Sequence, residues 1–83
     1  MREMSHRGCH TGVISFANGS HALECIVQNL SASGAQLKVP SGAMVPQRFE
    51  LQDRPGARRR GATVVWRRTG ALGVRFDEYF LAR

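Results

Sequence analysis

The chain has 83 residues, a mass of 9.2 kDa and a net charge of +6 from 12 basic and 6 acidic side chains. That length is one small domain, which buries only about 60% of the surface its unfolded form exposes. It excludes a doubly wound nucleotide-binding fold, a (β/α)-barrel enzyme and a two-domain architecture. No apolar run approaches the roughly 18 residues of a membrane span, and the first eight residues lack the apolar stretch of a signal peptide. The expected location is therefore the cytoplasm, where Cys9 and Cys25 are expected as thiols. Lys38 is the only lysine, so the positive charge is almost all arginine. Arginine presents a planar fork that pairs with phosphate or a guanine edge and stacks on rings. The composition leans toward a phosphate-bearing or acidic partner, with a merely solvated basic surface as the alternative.

Residues 1–8 read as a flexible basic arm and residues 9–83 as a single β domain. Residues 13–16 form a first strand signal, closed by the hairpin pair Asn18-Gly19, whose residues accept positive φ. Residues 23–27 would return. After the polar segment Asn29-Leu-Ser-Ala-Ser-Gly34, residues 35–39 alternate with period two until Pro40 stops them. Residues 48–51 form a fourth strand, followed by the turn residues Asp53-Arg-Pro-Gly56. Residues 62–66, Ala-Thr-Val-Val-Trp, are the best strand former; Thr69-Gly70 turns it and residues 72–76 return. Residues 77–82 could make one or two helical turns with Asp77 as N-cap. Six short strands at close spacing predict an all-β, mostly antiparallel barrel or sandwich. Its core is expected from Val13, Phe16, Ile26, Leu30, Leu37, Phe49, Leu51, Val65, Val74 and Phe76, with Cys25 a small core residue.

Catalysis finds little support. The carboxylates Glu3, Glu24, Glu50, Asp53, Asp77 and Glu78 sit in no motif that pairs them with another titratable group. His6 and His10 are four apart with Cys9 between, a helical metal spacing, but Gly8 and Gly12 argue against a helix and no second ligand pair completes a shell. The expected class is a non-enzymatic binding protein without a metal. The strongest local signal is Asn29-x-Ser31-x-x-Gly34. Asn29 tolerates left-handed geometry, Ser31 can bond nearby backbone, and Gly34 allows positive φ or close approach of a ligand. A self-capped β turn with no ligand is the alternative reading of the same residues.

The segment Asn29-x-Ser31-x-x-Gly34 resembles the D/N-x-S-x-x-G motif of PilZ domains, and the similarity runs on. Val64-Val65-Trp66 and Gly73-Val74-Arg75-Phe76 resemble the family's later V-x-W and G-V-R-F strands, in the same order over essentially the whole chain. The resemblance implies a six-stranded antiparallel β barrel, often with a C-terminal helix, that binds the bacterial second messenger cyclic di-GMP. It implies a ligand site at Asn29, Ser31 and Gly34, with Trp66 near it. The family's R-x-x-x-R arm corresponds here to Arg2-Glu-Met-Ser-His6, followed by Arg7. At an ordinary pKa of about 6.5, His6 would be largely neutral at pH 7 and no substitute for a guanidinium. An arm carrying Arg2, His6 and Arg7 could fold over a ligand on the barrel, with its ordering acting as a switch.

Arg58, Arg59, Arg60, Arg67 and Arg68 form a further basic cluster around the 62–66 strand, suited to an acidic protein partner, nucleic acid or extra phosphate contacts, with a solvated turn that protects a strand end as the alternative. The functional reading is a cyclic di-GMP receptor. The alternatives are a PilZ-like adaptor that works through protein contacts without the ligand and, remotely, a small basic nucleic-acid-binding barrel.

Overall fold

Strand propensity and tight turns produce six strands with nothing but loops between them. The structure is a computed structural model describing residues 9–77. The strands are β1 (His10–Phe16), β2 (His21–Gln28), β3 (Gly34–Lys38), β4 (Arg48–Gln52), β5 (Arg59–Arg68) and β6 (Ala71–Phe76). They close into a barrel in the order β1-β2-β3-β6-β5-β4, every neighbouring pair antiparallel. Closure leaves no open sheet edge, which matters for a domain this small. The predicted arm and the turns expected after Asp77 lie outside the described residues. Asp77 itself accepts a hydrogen bond from Arg48 Nη2.

The β1–β2 connection is longer than a two-residue turn. Phe16 pairs with His21, leaving a four-residue loop in which Ala17, Asn18 and Gly19 all have positive φ (55°, 57° and 85°). The Ser20 hydroxyl donates to the Ala17 carbonyl at 2.8 Å, which holds the loop.

The core is set by which parity each strand turns inward. Ile14, Val27, Leu37, Leu51 and Phe76 are its largest fully buried side chains. Phe49 and Val74 are buried as expected, while Phe16 and Leu30 are half-buried against the core. Three expectations fail on parity. In β1 the inward residue is Ile14, opposite Leu51 of β4, so Val13 is only half-buried. In β2 Cys25 and Val27 face in, and with a period of two Ile26 must face out; it is 40% exposed. In β5 Ala62 and Val64 face in and Val65 is 54% exposed.

The β5 exception has a specific cause. Val64 pairs with Val74 and Trp66 with Gly73, so Val65 is an extra residue, a β-bulge. The bulge is anchored on its β4 side by Gln47: its carbonyl accepts from the Val64 N–H at 2.8 Å and its Nε2 donates to the Val64 carbonyl at 2.7 Å. One inserted residue shifts every later side chain of β5 to the opposite face. Arg67 thereby donates from Nη1 to the Val45 carbonyl at 2.9 Å, tying down the loop between β3 and β4. The buried Asp53 carboxylate accepts from Arg60 Nη2 at 2.9 Å, and that guanidinium lies 4.1 Å over the Phe76 ring.

Candidate functional site: the outer face of β3, β6 and β5

The turn between β2 and β3 is built by its own side chains. Asn29 adopts positive φ, 52°. Ser31 N–H donates to the Gly34 carbonyl at 2.9 Å, and its hydroxyl also donates to that carbonyl at 3.2 Å. The same oxygen accepts from the Ser33 and Gly34 amides, each at 3.3 Å. Ser31 is thus committed to the loop. Gly34 does not use the positive φ that its missing side chain would allow. It is absent from the positive-φ glycines, and an added Cβ would lie 2.3 Å from the Val74 carbonyl oxygen. The missing side chain lets the β3 and β6 backbones approach closely here.

From this turn a continuous row of residues crosses the barrel wall. Asn29 Nδ2 donates to Gln36 Oε1 at 2.6 Å. Gln36 faces outward between the buried Ala35 and Leu37 and pairs with Gly73 of β6. Gly73 pairs in turn with Trp66 of β5. The indole lies directly on Gly73, where a Cβ would come within 2.1 Å of its Nε1. Arg68 closes the stack from above, its guanidinium 4.9 Å from the ring centroid. Trp66 is therefore a rim aromatic on the outer wall, aimed there by the bulge. The wall joins Asn29, Ser31, Gly34 and Trp66 into one surface. Arg2, His6 and Arg7 lie outside the described residues.

Alternation alone could have found Gln36 and Gly73, each flanked by inward-facing neighbours. The bulge has no such signature, so the sequence did not fix the face of Trp66 and Arg68.

The basic cluster expected around β5 is divided. Arg60 and Arg67 are seven residues apart on one strand, about 23 Å. Arg60 is paired with Asp53, and Arg59 lies 3.8 Å from Glu50. A cleft of about 620 Å³ opens beside the β1–β2 loop, lined in part by Arg48, Arg59, Glu50 and Asp77. Its two cations face its own two carboxylates, and none of Asn29, Ser31, Gly34 or Trp66 lines it. It suits an anionic ligand less well than the outer wall does. Cys9 and Cys25 form no disulfide; Gln28 Nε2 lies 3.9 Å from the Cys9 sulfur, and burial pushes the Cys25 thiol up to about 11. Among the described residues no group of three or more His, Cys, Asp or Glu side chains gathers, and no helix is long and apolar enough to cross a membrane.

The six-strand closed barrel and the Asn29-to-Gly34 turn leading into β3 are matched by a family model described as the PilZ domain, over residues 2–79. The chain belongs to the PilZ domain family. No curated protein and no solved structure matches it. PilZ membership makes the chain a domain of the cyclic di-GMP-binding or adaptor type. The match includes the positions of Arg2, His6 and Arg7, and its later part covers the Trp66 and Arg75 strands of this PilZ barrel.

Proposed function

We propose that this PilZ domain is a cytoplasmic cyclic di-GMP receptor whose N-terminal arm, through Arg2, His6 and Arg7, orders over a ligand held on the outer wall at Asn29, Ser31, Gly34 and Trp66. The observation that carries the reading is the continuity of the pre-built Asn29–Gly34 turn with the Trp66 ring through Gln36 and Gly73. A preformed surface carries a smaller ordering cost on binding, so that cost falls on the arm and makes it the switch. The charge also supports it. The adjacent strands β3, β6 and β5 contain no Asp or Glu and carry Lys38, Arg75 and the four β5 arginines, of which Arg67 and Arg68 directly follow Trp66.

Calorimetric titration with cyclic di-GMP tests this. Saturable submillimolar binding is expected, and Arg7→Ala should weaken it by about 1–3 kcal/mol, the range of a charge-assisted or bidentate contact. His6→Arg should tighten binding at neutral pH, because it restores a fixed cation in the arm. A wild type that does not bind while His6→Arg does identifies the chain as a PilZ adaptor working through protein contacts. Absence of binding in both removes the arm as a site.

A further inference from the structure

We infer that Arg68 and Arg75, two arginines outside both the arm and the Asn29–Gly34 turn, are ligand-binding residues that bracket Trp66 and hold the two ends of a dianionic dinucleotide; this rests on the cyclic di-GMP reading above. Three observations converge. Both side chains are on the outer wall: Val74 and Phe76 are buried on either side of Arg75, and the bulge sends Arg68 outward with Trp66. Neither pairs with a carboxylate among the described residues. Among the described residues the ion-paired arginines are Arg48, Arg59 and Arg60, none of them on this stretch of wall.

Position is the third observation. Arg75 pairs directly with Gly34, the last residue of the turn, and the neighbouring Phe76 N–H donates to the Ser33 carbonyl at 2.8 Å. Arg68 pairs with Ala71, four residues back along β6. That separates the two backbones by about 13 Å, with Trp66 and Gly73 between them. Arg68 is also pre-positioned: its guanidinium carbon lies 4.9 Å from the Trp66 ring centroid, and among the described residues its N–H groups donate to no protein acceptor. A planar fork held in this way suits phosphate or the O6/N7 edge of guanine. A mononucleotide could engage one of the two cations; a ligand with two phosphates and two bases can engage both.

The test is titration of the full chain with cyclic di-GMP, read by calorimetry, for wild type, Arg68→Gln, Arg75→Gln, Arg75→Lys and Arg58→Gln, with thermal melts to establish that each variant is folded. Arg58 is exposed in the β4–β5 connection and serves as the charge control. Loss of a charge-assisted contact should weaken binding about tenfold or more for Arg68→Gln and Arg75→Gln, with Arg75→Lys intermediate and Arg58→Gln within about twofold of wild type. GMP, offered in place of cyclic di-GMP, should bind more weakly and discriminate less between wild type and the variants. Wild-type binding with both glutamine variants unaffected overturns the inference and leaves the receptor reading standing. A loss in one variant alone overturns the two-ended clamp. A wild type that gives no heat with cyclic di-GMP overturns the receptor reading, and this inference with it.

Discussion

At the scale of single residues, Ser31 and Gly34 each have a structural task in the turn. Ser31 spends its hydroxyl on the Gly34 carbonyl and on two backbone amides. Gly34 is needed because β6 backbone fills the space where a Cβ would stand. Gly34→Ala should therefore act on folding: it should lower the thermal midpoint by roughly 10 °C or more, as expected for a backbone clash costing a few kcal/mol in a domain this size. Loss of ligand binding in that variant would then follow from loss of the β3–β6 pairing, and an unchanged melt would contradict the account. Cys25 offers a pH test. Its thiol is pushed up to about 11 from an ordinary 9.0, chiefly by burial, with the nearby Glu24 charge adding and a backbone hydrogen bond at Gly12 opposing. A raised thiol pKa means that the neutral core is fully stable below about pH 9 and loses stability as pH rises through about 11. Alkylation of the native protein should accordingly label Cys25 slowly at pH 8 and quickly only above about 11 or after unfolding. Rapid native labelling of Cys25 at pH 8 would contradict its burial.

At the scale of elements, the strands were legible in the sequence because their signals are local: β-branched runs, Gly and Pro stops, and alternation. Element existence and order follow from those, and so does the Asn29–Gly34 turn. Which face each strand turns inward was less legible. Val13-Ile14 and Cys25-Ile26-Val27 offer apolar residues to both faces, and the choice is made by pairing, as in Ile14 opposite Leu51. In β5 the choice depends on an extra residue held by Gln47, a partner distant in sequence. The bulge makes a sharp prediction. Val64→Ala should cost about 1–3 kcal/mol because it empties the core, whereas Val65→Thr should stay within about 0.5 kcal/mol because Val65 faces solvent. Chemical denaturation of the two variants checks this, and equal losses would contradict the assigned bulge.

At the scale of the whole molecule, charge is sorted rather than spread. The carboxylates Glu50, Asp53 and Asp77 are matched with Arg59, Arg60 and Arg48, which takes three arginines out of the charge that the composition suggested was free for a partner. What remains unmatched includes Lys38, Arg68 and Arg75 on a wall of three strands with no acidic residue. The barrel thus presents a cationic face with one aromatic ring at its centre, next to the turn that marks the family. Sequence reasoning tied Trp66 to the Asn29–Gly34 turn only through resemblance; what puts its ring on the same wall is the glycine beneath it and the bulge before it. Trp66 is the only tryptophan in the chain, so its emission reports on this face alone. Titration of cyclic di-GMP with Trp66 emission and calorimetric heat followed on the same samples is the most direct test of the central claim. The account predicts a saturable change in emission with the same midpoint as the heat. Heat of binding with Trp66 emission unchanged would put the ligand elsewhere on the barrel and contradict it.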